Sequence, residues 1–269
     1  MSPVQAPRPS VSLSNGVEMP LLGLGVWRIP DGEQTENAVG WALEAGYRHI
    51  DTAQLYGNEP AVGRAVHSSG VDRSDVFVTT KLHPRASDPA GSLHESLDRL
   101  GMDHVDLILI HWPTSTAVEQ WDALERAYDQ GLCRAIGVSN WGSRELDATV
   151  ARARIRPHVD QVEFSPFQFR RALLEHCHRL QITLEAYSPL TRGQSLRHPT
   201  IVRVAREHGR SPAQIMLRWA IERDVVVIPK STHRDRIVEN AQIFDFQLAP
   251  DAIAMLDALD QTGDATSAR

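Results

Sequence analysis

A chain of 269 residues, 42% hydrophobic and 23% charged, has enough apolar side chain for one full core and matches a single barrel-sized domain of roughly 250 residues. A formal charge of −6 argues against a face built for phosphate backbones, so no nucleic-acid partner is expected; no apolar run approaches the roughly 18 residues that cross a bilayer, so no membrane partner is expected either. Two cysteines, Cys133 and Cys177, make no disulfide framework and point to the reducing cytoplasm.

Residues 1–10 are proline-rich without an apolar signal core and read as a disordered leader; 263–269 read as a flexible tail, leaving one domain over 11–262. Residues 11–19 pattern as a β-hairpin about Asn15-Gly16, a dipeptide that accepts positive φ. Short apolar or β-branched runs then alternate with amphipathic stretches in units of about 25–35 residues, as in βαβ structure. The predicted strands are 22–26, 48–52, 76–80, 107–111, 135–139, 159–163, 183–187 and 225–228. The predicted helices are 33–45, 92–100, 118–130, 144–151, 171–180, 200–207 and 234–243, with 214–223 and 251–259 outside the regular count. Gly46, Gly101, Gly131 and Gly209 mark helix ends, where a residue free to take positive φ stops the helix.

Eight such units close into a barrel or open into a doubly wound sheet. A dinucleotide-binding open sheet needs G-x-G-x-x-G after its first strand, and Gly23-Leu-Gly25 is followed by Val-Trp-Arg28, without the third glycine. The expected fold is therefore α/β, a (β/α)8 TIM barrel with an N-terminal β-hairpin and extra helices outside the repeat.

Barrel enzymes gather their chemistry at the C-terminal ends of the strands. The polar residues at those ends are Trp27, Asp51-Thr52, Lys81, His111, Ser139-Asn140, Gln161, Tyr187 and Lys230, one group for each strand. Only Lys81 and Lys230 of the 28 basic residues are lysines, which suggests positions where a compact ammonium is needed and a guanidinium does not serve. Tyr56, with a reference pKa near 10, is a poor acid alone; an ammonium about 4 Å away is worth roughly 4 kcal/mol at an effective dielectric of 20, enough to lower it by up to about 3 units. Asp51 would hold Lys81 charged, and His111 would orient a carbonyl oxygen. The plain alternative is a buried Asp–Lys pair beside a core tyrosine.

Gly46-Tyr-Arg-His-Ile-Asp-Thr-Ala53 followed by Tyr56-Gly-Asn-Glu59 resembles the first signature of the aldo-keto reductases. The resemblance runs on through Thr80-Lys-Leu82, His111-Trp-Pro113, Ala135-Ile-Gly-Val-Ser-Asn140, Gln161-Val-Glu163, Tyr187-Ser-Pro-Leu190, Ile228-Pro-Lys-Ser231 and Arg236-Ile-Val-Glu-Asn240, in the family's order. It implies a barrel that binds an extended nicotinamide cofactor, NADPH (NADP+), and reduces aldehydes and ketones with a tetrad of Asp51, Tyr56, Lys81 and His111. By the same match Ser139, Asn140 and Gln161 hold the carboxamide, Tyr187 stacks on the nicotinamide, and Val26, Trp27 and Asp51 lie near it. Ser188 and Leu190 line the pyrophosphate path. Lys230, Ser231, Thr232 and Arg236 clamp the 2′-phosphate, and Glu239 and Asn240 reach the adenine. Trp27, Leu55, Tyr56, His83, His111 and Trp112 wall a pocket for a small carbonyl substrate. The likeness is to the small bacterial, 2,5-diketo-D-gluconate reductase-like members, and implies a monomer.

The chain departs from the pattern in a short loop from Pro113 to Trp121 and in the absence of a long segment after Asp260. His83, Trp141 and Thr191-Arg192 also stand where relatives carry other residues. These changes leave the substrate open. His176-Cys-His178 has metal-pair spacing, but on a helix i and i+2 point about 200° apart, so no metal site is expected. Gly137-Val-Ser-Asn-Trp141 is not a nucleophile elbow, and a Schiff-base Lys81 conflicts with the adjoining Asp51, which favours the charged amine. A cofactor-sensing regulatory barrel with little turnover is the alternative reading.

Overall fold

The structure, a computed structural model, describes residues 9–86 and 88–262. Most of the stretch read as a leader (1–8) and the tail 263–269 lie outside the described residues.

The hairpin comes first, as β1 (Ser10–Ser12) against β2 (Glu18–Pro20). It starts inside the predicted leader: Ser10 pairs with Pro20, and the Leu21 N–H donates to the Pro9 carbonyl at 3.0 Å. In the turn only Gly16 takes the positive φ, 84°, while Asn15 donates its side-chain amide to the Arg134 carbonyl at 2.9 Å.

Eight parallel strands follow in strict sequence order: β3 (Leu24–Gly25), β4 (His49–Asp51), β5 (Phe77–Leu82), β6 (Val105–Ile110), β7 (Cys133–Ser139), β8 (Val159–Glu163), β9 (Thr183–Tyr187) and β10 (Val226–Val227). The sheet closes on itself, because Leu22 bridges Val227 and the Val227 N–H donates to the Leu21 carbonyl at 2.9 Å. This is the (β/α)8 barrel expected from the alternating pattern. The two glycines of the rejected dinucleotide motif sit at this seam. A Cβ on Gly25 would stand 2.9 Å from the Ile228 carbonyl oxygen, and one on Gly23 would stand 2.6 Å from the His49 ring. Close backbone approach, not phosphate binding, accounts for Gly23-Leu-Gly25.

Ten helices surround the barrel among the described residues: α1 (Glu33–Ala45), α2 (Glu59–Ser68), α3 (Pro89–Leu100), α4 (Ala117–Asp129), α5 (Ser143–Arg152), α6 (Arg171–Leu180), α7 (Pro199–Glu207), α8 (Pro212–Ile221), α9 (Arg234–Ala241) and α10 (Pro250–Asp257). Both α7 and α8 lie between β9 and β10, and α10 follows the last unit, which gives the predicted surplus over eight. None is long and apolar enough to cross a membrane. Local chemistry sets their ends. Asp88 caps α3 by accepting from the Gly91 N–H at 3.0 Å, and Ser211 and Gln214 form a capping box on α8. Helix α2 is absent from the predicted elements.

One apolar layer lies between strands and helices and includes Ile50, Val78, Ile108, Ile136, Val162 and Trp219. A second fills the N-terminal end of the barrel, where Phe77, Leu107, Leu109, Ala135, Val159 and Val226 meet Leu13 and Met19 of the hairpin. The hairpin is thus a plug, and the chemistry-bearing side chains are left at the opposite mouth.

Candidate active site

Four side chains converge where β4, β5 and β6 end. Lys81 is fully buried; its Nζ donates to Asp51 Oδ1 at 2.6 Å, Asp51 Oδ2 at 2.7 Å and the Thr52 carbonyl at 2.9 Å. Tyr56 Oη lies 3.3 Å from the same Nζ. His111 packs its ring edge-on to Tyr56 with centroids 5.6 Å apart. An ammonium has three hydrogens, and Asp51 and Thr52 take the shorter contacts, so Tyr56 holds the loosest place around Lys81.

The fold places Tyr56 by tying its loop down on both sides. After β4 the chain makes a single 3-10 turn, Gln54–Tyr56, ended by Gly57 at φ 68°. Buried Asn58 then donates to the carbonyls of Val26 (3.0 Å) and Ile29 (2.8 Å) and accepts from Thr52 Oγ1 at 2.7 Å, locking this turn to the loop after β3. Gln54 bonds Ser96 Oγ at 2.9 Å and accepts from the His83 N–H at 2.7 Å. Glu59, buried at the start of α2, accepts from Thr80 Oγ1 at 2.6 Å and Arg99 Nε at 2.7 Å. Sequence reading gave Gln54, Asn58 and Glu59 no role. Asn58 and Glu59 lie inside a quoted motif, and burial next to Tyr56 is what explains them.

The electrostatics correct one expectation. Tyr56 stands above, not below, the ordinary phenol value: burial raises it by more than Lys81 lowers it, and Asp51 opposes Lys81. A single ammonium does not offset the loss of water around the hydroxyl. Burial alone would lower Lys81, yet Asp51 and Tyr56 together raise it, so Lys81 stays charged. His111 is pushed down to about 3 by burial and then by Lys81 and His83, so its imidazole is neutral, with Nδ1 buried and unpartnered.

The predicted cofactor residues fall in two groups. In the first, Ser139 Oγ donates to the Gln161 carbonyl at 2.8 Å, Asn140 Nδ2 donates to the His111 carbonyl at 3.1 Å, and Tyr187 Oη donates to Asn140 Oδ1 at 2.8 Å. Gln161 gives its amide hydrogens to Asp51 at 2.7 Å and Glu185 at 2.9 Å, so this group is joined to the tetrad by a hydrogen bond. Val26 is buried; Ser188, at φ 50°, and Leu190 continue from Tyr187 along the loop after β9.

The second group lies past β10. Lys230 and Arg236 are exposed and Thr232 is half-buried; Ser231 is buried just before α9, and Asn240 is buried in the last turn of that helix. Ser231 Oγ accepts from the His233 N–H at 3.1 Å. Glu239 is held by the Ser211 hydroxyl rather than left free. Around the mouth, Trp27, Leu55 and Trp112 are exposed and His83 is half-buried. Two guanidiniums approach the Trp27 ring, Arg28 at 4.3 Å and Arg192 at 5.2 Å from its centroid, a pairing that sequence reading did not foresee. His176 and His178 lie on α6, and His176 Nε2 is 2.8 Å from Asp147 Oδ1.

The aldo/keto reductase family model matches residues 21–261. The chain belongs to the aldo/keto reductase family. A glyoxal reductase of Bacillus subtilis is 43% identical over 256 residues, covering 94% of this chain and 93% of that protein. The crystal structure of an aldo/keto reductase from Brucella melitensis superposes with a TM-score of 0.91 at 40% identity, covering 94% of this chain and 100% of that one. The aldo-keto reductase of Bombyx mori in complex with NADP superposes with a TM-score of 0.88 at 36% identity, covering 94% of this chain and 93% of the other. As a family member this chain is an oxidoreductase, and its likeness covers the strands, the mouth and α9 together.

Proposed function

We propose that this aldo/keto reductase is a monomer that reduces small aldehydes and ketones with NADPH, using Tyr56 as proton donor. The observation that carries the reading is the chain Asp51–Lys81–Tyr56, with Nζ 2.6 Å from the carboxylate and 3.3 Å from the phenol. The reduced nicotinamide supplies hydride when bound. The residues fit such a group: Ser139, Asn140 and Gln161 form a hydrogen-bonded set of amide and hydroxyl functions, joined through Asn140 to the half-buried Tyr187. With both Gln161 hydrogens committed, its oxygen is the atom left to accept from a carboxamide. Lys230 and Arg236, with the Ser231 hydroxyl at the entry of α9, suit a 2′-phosphate better than a bare ribose hydroxyl, which favours NADPH over NADH.

Each tetrad member then has one task. Neutral His111 orients the carbonyl oxygen through a ring N–H. Tyr56, raised by burial, keeps its proton at neutral pH and gives it to an alkoxide, a far stronger base. The phenolate left behind faces a charged Lys81, which Asp51 holds in place. Exposed Trp27, Leu55 and Trp112 make an apolar rim for the remainder of the substrate.

Fluorescence titration with NADPH and NADH, followed by cofactor consumption on a panel of aldehydes, ketoesters and keto acids, tests the proposal. Tighter binding of NADPH and turnover of panel members are expected. Failure of both nucleotides to bind would remove the role given to Lys230 and Arg236 and the reductase reading with it.

A further inference from the structure

Beneath the tetrad a second polar layer crosses the barrel, and within it Glu185 has one carboxyl oxygen without a partner. It lies on β9, fully buried, between Gln161 of β8 and Val226 of β10 in the strand register. Glu185 Oε2 accepts from Gln161 Nε2 at 2.9 Å, and the same nitrogen donates to Asp51 Oδ2 at 2.7 Å. An amide nitrogen has two hydrogens, and both go to carboxyl groups; the flipped amide would set its oxygen against those same oxygens. Glu185 Oε1 has no hydrogen-bond partner. Its neighbour there is His49 Nε2 at 3.6 Å, which lies 3.0 Å from Thr79 Oγ1, and His49 Nδ1 is also unpartnered.

The titratable groups around Glu185 are Asp51 and His49 on β4, Lys81 on β5 and Tyr56 in the loop after β4. Lys81 is already neutralised by Asp51 at 2.6 Å, so an ionised Glu185 would be a second buried carboxylate without a cation of its own. We propose that Glu185 is a positioning residue of the reductase: it fixes the Gln161 amide against Asp51 and sets a titratable carboxyl beneath the Lys81–Tyr56 proton donor. The role rests on the reductase reading and goes beyond the tetrad. Burial and then Asp51 push Glu185 up to about 8, and burial and Lys81 hold His49 neutral, at about 3. At neutral pH the layer therefore adds no net charge to the site. Above its midpoint Glu185 adds a negative charge that makes Tyr56 hold its proton more tightly and donate it more slowly.

The single-turnover rate of carbonyl reduction, followed from pH 6 to 9.5 with NADPH in excess, reads this directly. Wild type should slow by roughly threefold or more across a step near pH 8, as a change of about one unit in the acid would give. Glu185→Gln, which keeps the side chain's shape and an acceptor for Gln161 but cannot ionise, should lose the step from its rate profile. A step that persists in Glu185→Gln, or turnover in wild type with no step, overturns the role while the reductase reading stands. Absence of turnover on any carbonyl would sink the reductase reading itself and the role with it. If the variant does not fold, wild type with glutamate labelled by carbon-13 at the side-chain carboxyl gives the same decision, since buried Asp160 is silent in that label. One carboxyl titrating near 8 is expected, and a set confined near 4.5 overturns the proposal.

Discussion

At one end of the barrel Phe77, Leu107, Ala135 and Val159 meet Leu13 and Met19 of the hairpin. Two to four residues further along the same chain segments stand Lys81, His111, Ser139 and Gln161; Lys81 and Gln161 bond Asp51 directly, and Ser139 bonds Gln161. Inward positions recur every second residue, so one strand presents an apolar side chain to the plug and a polar one to the mouth. Each end of the barrel tolerates one kind of residue. At the plugged end a polar group would be buried without a partner, whereas at the mouth buried polar groups find one another and leave a few atoms open. Stability and chemistry are thereby assigned to opposite ends of one sheet.

Two substitutions should pull these ends apart. The larger effect belongs to Tyr56→Phe, which removes the proposed acid but none of the three shorter Lys81 contacts. Its kcat should fall by about 10²–10⁴, while NADPH affinity and the melting temperature stay close to wild type. An active Tyr56→Phe would end the assignment of the acid. Met19→Ala at the plug should do the reverse. Met19 has 0% exposure, and truncation there should cost about 2–5 kcal/mol in a denaturant titration with kcat unchanged on the folded fraction. Loss of turnover without loss of stability would mean that the plug and the mouth are coupled.

How far the sequence reveals this arrangement depends on whether the deciding contact is local. Residues 159–163, 183–187, 33–45 and 171–180 are predicted to the residue, because each carries its period within itself, and Gly46 adds a stop to the first helix. The strands β3 and β10 shrink to two residues each at the seam, where the approach of Gly25 to Ile228 is set by closure of the whole barrel. Helix α2 is hidden by Pro60 and Gly63, which look like breakers. Pro60 fits a first helical turn, and Gly63 is there because a Cβ would fall on the Leu100 carbonyl oxygen at the end of α3. In the site, motif and strand-end position suffice to bring Asp51, Tyr56, Lys81 and His111 together. The raised Tyr56, the tie from Gln161 to Glu185 and the approach of Arg192 to Trp27 depend on burial and on partners distant in sequence.

A further contrast concerns acid, within the mouth itself. His111 and His49 both stand at about 3 in the fold, lowered first by burial and then by Lys81, against an ordinary value near 6.5. Between those limits the unfolded chain binds more protons than the native one, so native stability rises with pH and is lost as pH falls below about 6.5. The slope is about 1.4 kcal/mol per pH unit for each histidine. Glu185, raised from 4.5 to about 8, acts in the opposite sense: its contribution is complete below 4.5 and is lost as pH rises towards 8. Denaturant titrations of Glu185→Gln and wild type from pH 5 to 8 should therefore diverge, the variant gaining stability relative to wild type as pH rises. Turnover per folded molecule should behave differently. His111 remains neutral down to about 3, so kcat/KM should stay level from pH 7 to 5, where a histidine of ordinary basicity would lose most of its neutral form. A fall in kcat/KM with a midpoint near 6.5, in protein still folded by circular dichroism, would show that His111 is wetter than its place beside Tyr56 and Lys81 implies.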